Sequence, residues 1–277
     1  IYSLNKESYF VDFNIKTQGM SNILSSKNYP KVTWKSNAFR NSKSIDYENR
    51  YTELTYGYES DKVDYLSLSG DDEESVEEVR WVSYRQHFFS SIIVPKIPFD
   101  KVLMKSNDLA VDKSLKEKFT KSFESEFYLE NKQGDLDSDF KFYFGPSDYQ
   151  TLKNLEGDLE ASIPLGWGIF GWINRFMFLP LFGFLSSFLP HGISIIIMTI
   201  IVRLAMSPVT YKSYVSQIKM KVLRPEIEEI ASKYKNDAVK KQQETMSLYT
   251  RAGANPLSGC VPALIQLPVF YALFTFF

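Results

Sequence analysis

One arginine in this chain lies where arginine is costly. Residues 192–208, GISIIIMTIIVRLAMSP, form an apolar run whose single charge is Arg203. Near the middle of a membrane-crossing helix a guanidinium costs about 2.5–3.5 kcal/mol on insertion scales, so an ionisable group there is by default a functional-site hypothesis. Stepping in fours, the spacing that stacks side chains on one helix face, puts Thr199, Arg203 and Ser207 in one line. A polar flank of that kind faces water or protein rather than lipid. Gln266, an amide between Pro262 and Pro268 in the later run LSGCVPALIQLPVFYALFTFF, is tolerated if it faces a bundle interior. A plainer reading stands beside this one. Arg203 lies five residues before Pro208 and can snorkel to the headgroups, Thr199 can bond its own helix, and Ser207 can mark the helix end.

Other chemistry has little to work with. The single cysteine, Cys260, makes no disulfide framework and reads as a small packing residue. With only His87 and His191, no zinc site of ordinary spacing can be drawn. Gly19, Gly57, Gly70 and Gly134 make no phosphate-cradling spacing. The acidic run SGDDEESVEE at 69–78 lacks the ligand periodicity of a calcium loop and predicts a solvated loop. His87, beside Phe88 and Phe89, reads as a packed residue rather than a base. No cofactor, metal or enzymatic activity is expected.

The elements that must position Arg203 follow from charge and period. The 277 residues carry a formal net charge of −1, which suits neither a nucleic-acid binder nor an acidic tail. That mean hides a split. Before Ile163 there are 21 Lys and Arg against 28 Asp and Glu; from Tyr211 to Ser258 there are 9 against 5. Basic loops stay in the cytoplasm, so 211–256 is expected there and 1–160 outside. The 17 residues of 192–208 meet the lower limit for a spanning helix, and 191–210 is read as one.

Residues 1–160 read as short antiparallel strands, at 9–17, 31–36, 51–59, 87–95 and 123–130, rich in aromatic and β-branched residues and broken by polar stretches such as 25–30. A β-sandwich is their natural home. A short helix is expected over 147–156, with Ser147 as N-cap and Gln150 completing a capping box. Residues 163–190 are apolar but interrupted by Pro164 and Pro180, carry Arg175, and place Trp167 and Trp172 at their start. They read as an amphipathic helix in the outer interface, because a second crossing there would carry the basic stretch out of the cytoplasm. A hairpin re-entering the same side is the alternative.

After Pro208 one helix is expected over 211–223 and another from Pro225, whose Glu226, Glu228 and Glu229 suit its positive end. Ile227, Ile230, Ala231 and Tyr234 form an apolar stripe. Asn236 and Asp237 turn the chain into a third helix, 238–252, stopped by Gly253 and followed by Asn255 and Pro256. This hairpin is either a solvated structural element or a docking surface for a partner or anionic headgroups. Residues 257–277 start a second span.

IIIMTIIVRLAMSPVT, KMKVLRPEIEEI, MSLY and NPLSGCVPALIQLPVFYALF closely resemble the core of the YidC membrane protein insertases; WVSYRQHFF, IIVP and YFGPSDYQTL are similar to the end of that family's periplasmic domain, and GWGIFGWINRFMFLPLF to its interfacial helix. The resemblance implies a multi-domain membrane protein: an antiparallel β-sandwich of the mutarotase-like kind outside the bacterial inner membrane, then an α-helical membrane region with a cytoplasmic hairpin. It implies a fragment, short at the front of the sandwich and holding the first and part of the second of five core spans. By resemblance Arg203, Thr199, Gln266 and Ser207 line a hydrophilic groove with a buried arginine, closed on the outside. Lys219, Lys221, Arg224, Pro225, Glu226, Tyr234 and Tyr249 mark the hairpin. The implied partners are nascent membrane proteins and membrane lipids, with the Sec translocon, ribosome and signal recognition machinery beside them and no specific nucleic acid. A transporter or channel subunit for an anionic solute, or a carbohydrate-binding module, are the competing readings.

Overall fold

In the computed structural model, residues 1–277 are described apart from 5, 7, 20–29, 130–134, 236, 254–260 and 277, and apart from the side chains at 261–263 and 265. Cys260, Gly134, Asn236, Asn255, Pro256 and most of the break at 25–30 lie outside the described residues. The chain divides into two units, Ile1–Ile163 and Pro164–Phe277.

The first unit is one antiparallel sheet of ten strands folded over on itself. The strands are β1 Tyr2–Leu4, β2 Phe10–Lys16, β3 Lys31–Phe39, β4 Glu53–Tyr58, β5 Lys62–Tyr65, β6 Asp72–Arg85, β7 Phe89–Pro95, β8 Phe99–Asp108, β9 Phe119–Tyr128 and β10 Asp137–Pro146. Their order is β1-β2-β10-β7-β6-β8-β9-β3, with β4 and β5 attached at β6. The long strand β6 makes the fold. Its residues 79–85 pair with β4 and 82–85 with β7, while residues 72–79 pair with β8. Two leaves therefore share one strand and close over a common core. Trp34 of β3 stacks on Tyr84 of β6 at 3.9 Å and meets Phe142 of β10 edge-on at 5.5 Å. The Tyr84 hydroxyl donates to the Trp34 carbonyl at 2.9 Å, and burial holds its proton well above the usual phenol range. Behind the first leaf, buried Trp81, Ile92 and Tyr143 pack against Leu152 and Leu159. Trp81 lies across β4 only because residue 57 is glycine: a Cβ there meets the indole at 2.5 Å.

Two expectations fail here because of partners far along the chain. The acidic run is not a loop, since β6 begins at Asp72. Val76 and Val79 point to the core, and the acids face a row of lysines from a strand about 30 residues away: Glu73 pairs with Lys105 and Glu77 with Lys101 in register. The helix after β10, α2 (Tyr149–Lys153), is capped by Asp148 rather than Ser147. Its carboxylate accepts from the Thr151 amide at 2.8 Å, while the Ser147 hydroxyl is taken up with Ser90 at 2.7 Å. His87 lies in an aromatic cluster, stacked on Tyr51 at 4.5 Å and on Phe88 at 4.1 Å. Tyr51 sits just beyond the short helix α1 (Ile45–Asn49).

On the outer face of the second leaf, Lys35, Glu124, Lys105 and Glu73 stand side by side across four strands. Lys35 reaches Glu124 at 2.8 Å and Lys105 reaches Glu73 at 3.0 Å. The Lys35 ammonium that hydrogen-bonds Glu124 holds its carboxyl below the usual range. A depressed carboxylate contributes stability above its unfolded value and loses it as pH falls through its folded value. The advantage of the wild-type chain over Glu124→Gln in urea midpoint should therefore shrink below roughly pH 4. It should also shrink in about 1 M salt, where screening reaches within about 3 Å. An advantage independent of both pH and salt would remove the charge row from the stability of the sheet.

The second unit is helical: α3 Gly168–Ile173, a π-turn Asn174–Phe178 and α4 Leu179–Ser186 form one composite helix, followed by α5 His191–Val222, α6 Arg224–Lys233, α7 Ala238–Arg251 and α8 Val261–Phe276. Gly168–Ser186 and His191–Val222 are long and apolar enough to cross a membrane. Pro208 does not end the helix it sits in. It lies inside a continuous 32-residue α5, so the separate helix predicted over 211–223 is the same helix continued. A proline removes one hydrogen bond, and membrane helices tolerate that loss when neighbouring groups re-satisfy the freed carbonyl. The composite helix is apolar on its outer face as well, where Trp172, Phe176 and Phe184 are exposed. Arg175, its one charged residue, is exposed as well.

Candidate functional site

A trough of about 220 Å³ runs between α5 and α8, lined by Thr199, Val202, Arg203, Met206, Thr210, Gln266, Val269, Phe270 and Leu273. Three of the four groove residues singled out in the sequence, Thr199, Arg203 and Gln266, meet here from two helices. Ser207 does not line it, and Met206 and Thr210 do. The reason is the helix period. Eight residues at about 100° each carry Ser207 roughly 80° away from Thr199, whereas eleven residues bring Thr210 back to within roughly 20°. Stepping by four, seven and eleven rather than by fours alone finds the lining from sequence.

The floor of the trough is apolar and shared with the helix packing. Val202 and Ala272 are buried with Ile173 and Phe178, and Val269 and Leu273 pack against them. The Thr199 hydroxyl donates to the Ile195 carbonyl at 2.9 Å and that of Thr210 to Met206 at 3.0 Å, so both threonines keep an oxygen lone pair for an incoming donor. Arg203 is exposed in the trough, not buried as the resemblance implies. Two helices make two walls, and full burial of a side chain this long takes more. Among the described residues the guanidinium has no carboxylate partner, and the sequence holds no Asp or Glu between Pro164 and Arg224. The site is an uncompensated cation on a lipid-type surface: Ile193, Ile196, Ile200 and Leu204 of α5 and Leu264, Leu267 and Phe274 of α8 are exposed around it.

The hairpin residues lie apart from the trough. Lys219 and Lys221 close α5 on its negative end, and Pro225 and Glu226 open α6. Arg224 reaches Glu228 at 3.3 Å, an exposed pair. Tyr234 caps α6 beneath the Lys233 ammonium, 5.5 Å from its ring. Tyr249 lines a shallow concavity along α7 with Lys241, Thr245 and Met246.

A profile of the family described as YidC periplasmic domain matches residues 1–180, and one described as 60Kd inner membrane protein matches residues 183–277. The chain belongs to the YidC family. The Membrane protein insertase YidC of Parabacteroides distasonis is 38% identical over 289 residues, covering 100% of this chain and 45% of the relative. That of Bacteroides fragilis is 39% identical over 287 residues, covering 100% and 46%, and that of Porphyromonas gingivalis 32% over 292 residues, covering 100% and 46%. The chain spans a little under half the length of these relatives. Membership in the YidC family makes it an inner-membrane protein with an antiparallel β domain ahead of a helical membrane region, and α5 supplies a helix of spanning length.

Proposed function

We propose that this chain is part of a membrane protein insertase, with the α5–α8 trough as the surface that receives the client. The observation that carries the reading is the meeting of Arg203, Thr199 and Gln266 in one concavity with no acidic residue beside it. A polar recess part-way into the bilayer shortens the hydrophobic distance a polar segment must cross. A cation exposed within it attracts acidic residues of the incoming chain's extracytoplasmic tail. Apolar parts of the client then move out along the exposed isoleucines and leucines into lipid. No bond is made or broken, and no cofactor takes part.

Sidedness follows from charge: the basic stretch 211–256 is cytoplasmic, residues 1–160 are periplasmic, and residues 163–190 lie in the outer interface with Trp167 and Trp172 at headgroup level. Nascent membrane proteins and lipids are the partners; the Sec translocon, ribosome and signal recognition machinery fit a cytoplasmic hairpin that presents Lys219, Lys221 and Arg224. A photoreactive residue at Thr199 should crosslink to a stalled nascent membrane protein, and one at Phe184, exposed on α4 outside the trough lining, should not. Equal crosslinking from both positions would contradict the trough as the client's path.

A further inference from the structure

We infer that Asn174 is a positioning residue that fixes α8 opposite Arg203 and so sets the width of the trough; the inference rests on the insertase reading for its functional consequence. Asn174 is fully buried at the first position of the π-turn that interrupts the composite helix, an irregularity that recurs at functional sites. Its amide nitrogen donates to the Leu165 carbonyl at 2.7 Å and to the Thr275 hydroxyl at 3.0 Å. One side chain thus ties three pieces together: the turn that enters α3, the π-turn, and the far end of α8.

The surroundings are built for that contact. Gly166 holds φ at +93°, and its carbonyl approaches Gly171 so closely that a Cβ there would lie 2.2 Å away. The turn can therefore fold back under the helix only with glycine at 171. Phe170 packs edge-on against Tyr271 at 4.7 Å on one side of the clamp, and Phe178 meets Phe276 at 6.1 Å on the other. The orientation of the amide is fixed, because flipping it would set its oxygen against the Leu165 carbonyl. Among the described residues the amide oxygen, enclosed by the packing, has no hydrogen-bond partner. That geometry leads to the trough: Val269 and Leu273, on the turns of α8 just before Thr275, both pack on the Ile173–Phe178 cluster and line the trough with Gln266. Pinning Thr275 fixes the tilt of the helix that carries Gln266 and Phe270 past Arg203.

The test places nitroxide labels at Ile200→Cys and Leu267→Cys, outside the trough lining, in a full-length cysteine-free protein in lipid, and measures the label distance and client insertion together. Asn174→Leu and the milder Thr275→Val should shift or broaden the distance distribution and lower insertion about tenfold, while Thr275→Ser, which keeps the hydroxyl, should retain both. An unchanged distribution in folded Asn174→Leu and Thr275→Val proteins overturns the clamp whatever happens to insertion. A changed distribution with normal insertion overturns the positioning role if Arg203→Glu stops insertion in the same assay. If Arg203→Glu also inserts normally, the failure lies with the trough as client path.

Discussion

Arg203→Glu should stop insertion of single-span clients whose extracytoplasmic tail carries acidic residues, and Arg203→Ala should slow it at least tenfold. At an effective dielectric of about 20 a unit charge pair 4 Å apart is worth about 4 kcal/mol, and each 1.4 kcal/mol is a factor of about ten. Even a third of that attraction lost gives a tenfold effect. Arg203→Lys should keep most of the activity, because attraction through a wet recess depends on charge more than on the planar fork of a guanidinium. The effect should also depend on the client: removing the acids from the client's tail should make wild type and Arg203→Ala alike. Complementation of a depletion strain with paired acidic and neutralised clients measures both. Normal insertion by Arg203→Ala and Arg203→Glu alike would end the counter-charge account.

The second large effect lies in the β domain. Arg85 and Glu53 face each other across β6 and β4, both almost wholly buried, with the guanidinium hydrogen-bonded to the carboxylate. Lys121 is buried close enough to feel both; burial holds its ammonium below the usual range, and its Nζ donates to the Leu68 carbonyl at 2.9 Å. Glu53→Met would leave the buried Arg85 guanidinium without its hydrogen-bonded carboxylate and take from Lys121 one of the two anions, with Asp108, that favour its charge. Removing one partner of a buried pair costs about 3–5 kcal/mol, a large part of the roughly 5–15 kcal/mol that holds a domain together. Replacing both partners by apolar residues of similar size, Glu53→Met with Arg85→Met, should cost much less than the sum of the single changes. Urea unfolding of the four proteins in a double-mutant cycle decides this. A single-mutant cost under about 1 kcal/mol would mean that water reaches the pair.

What could be read in the sequence was what a single element's period carries. The apolar run around Arg203 declares itself because one helix needs no distant partner to be apolar, and the Thr199–Arg203 face follows from helical spacing. The strands at 9–17 and 87–95 declare themselves by composition. Features that depend on partners far along the chain stay hidden. The acids at 72–78 read as a loop because Lys101 and Lys105, which make them acceptable in a strand, lie on β8. Pro208 reads as a helix end because its local penalty is plain and its compensation is not. Ser147 and Asp148 are both capable caps, and only the pairing of Ser147 with Ser90 settles which one caps. Asn174 gives no sequence signal, since its partners Leu165 and Thr275 are 9 and 101 residues away.

The whole account stands on water reaching Arg203 from the cytoplasm while hydrocarbon surrounds the outer faces of α5 and α8. A thiol reacts as its thiolate, so maleimide labelling needs water at the sulfur. With single cysteines at Thr199 and Ile200 in the full-length protein, a membrane-impermeant maleimide added from the cytoplasmic side should label Thr199→Cys and leave Ile200→Cys unmodified, and neither should react from the periplasm. Failure of Thr199→Cys to label from either side would show a dry site, and the recess would then have no part in moving polar chain across the membrane.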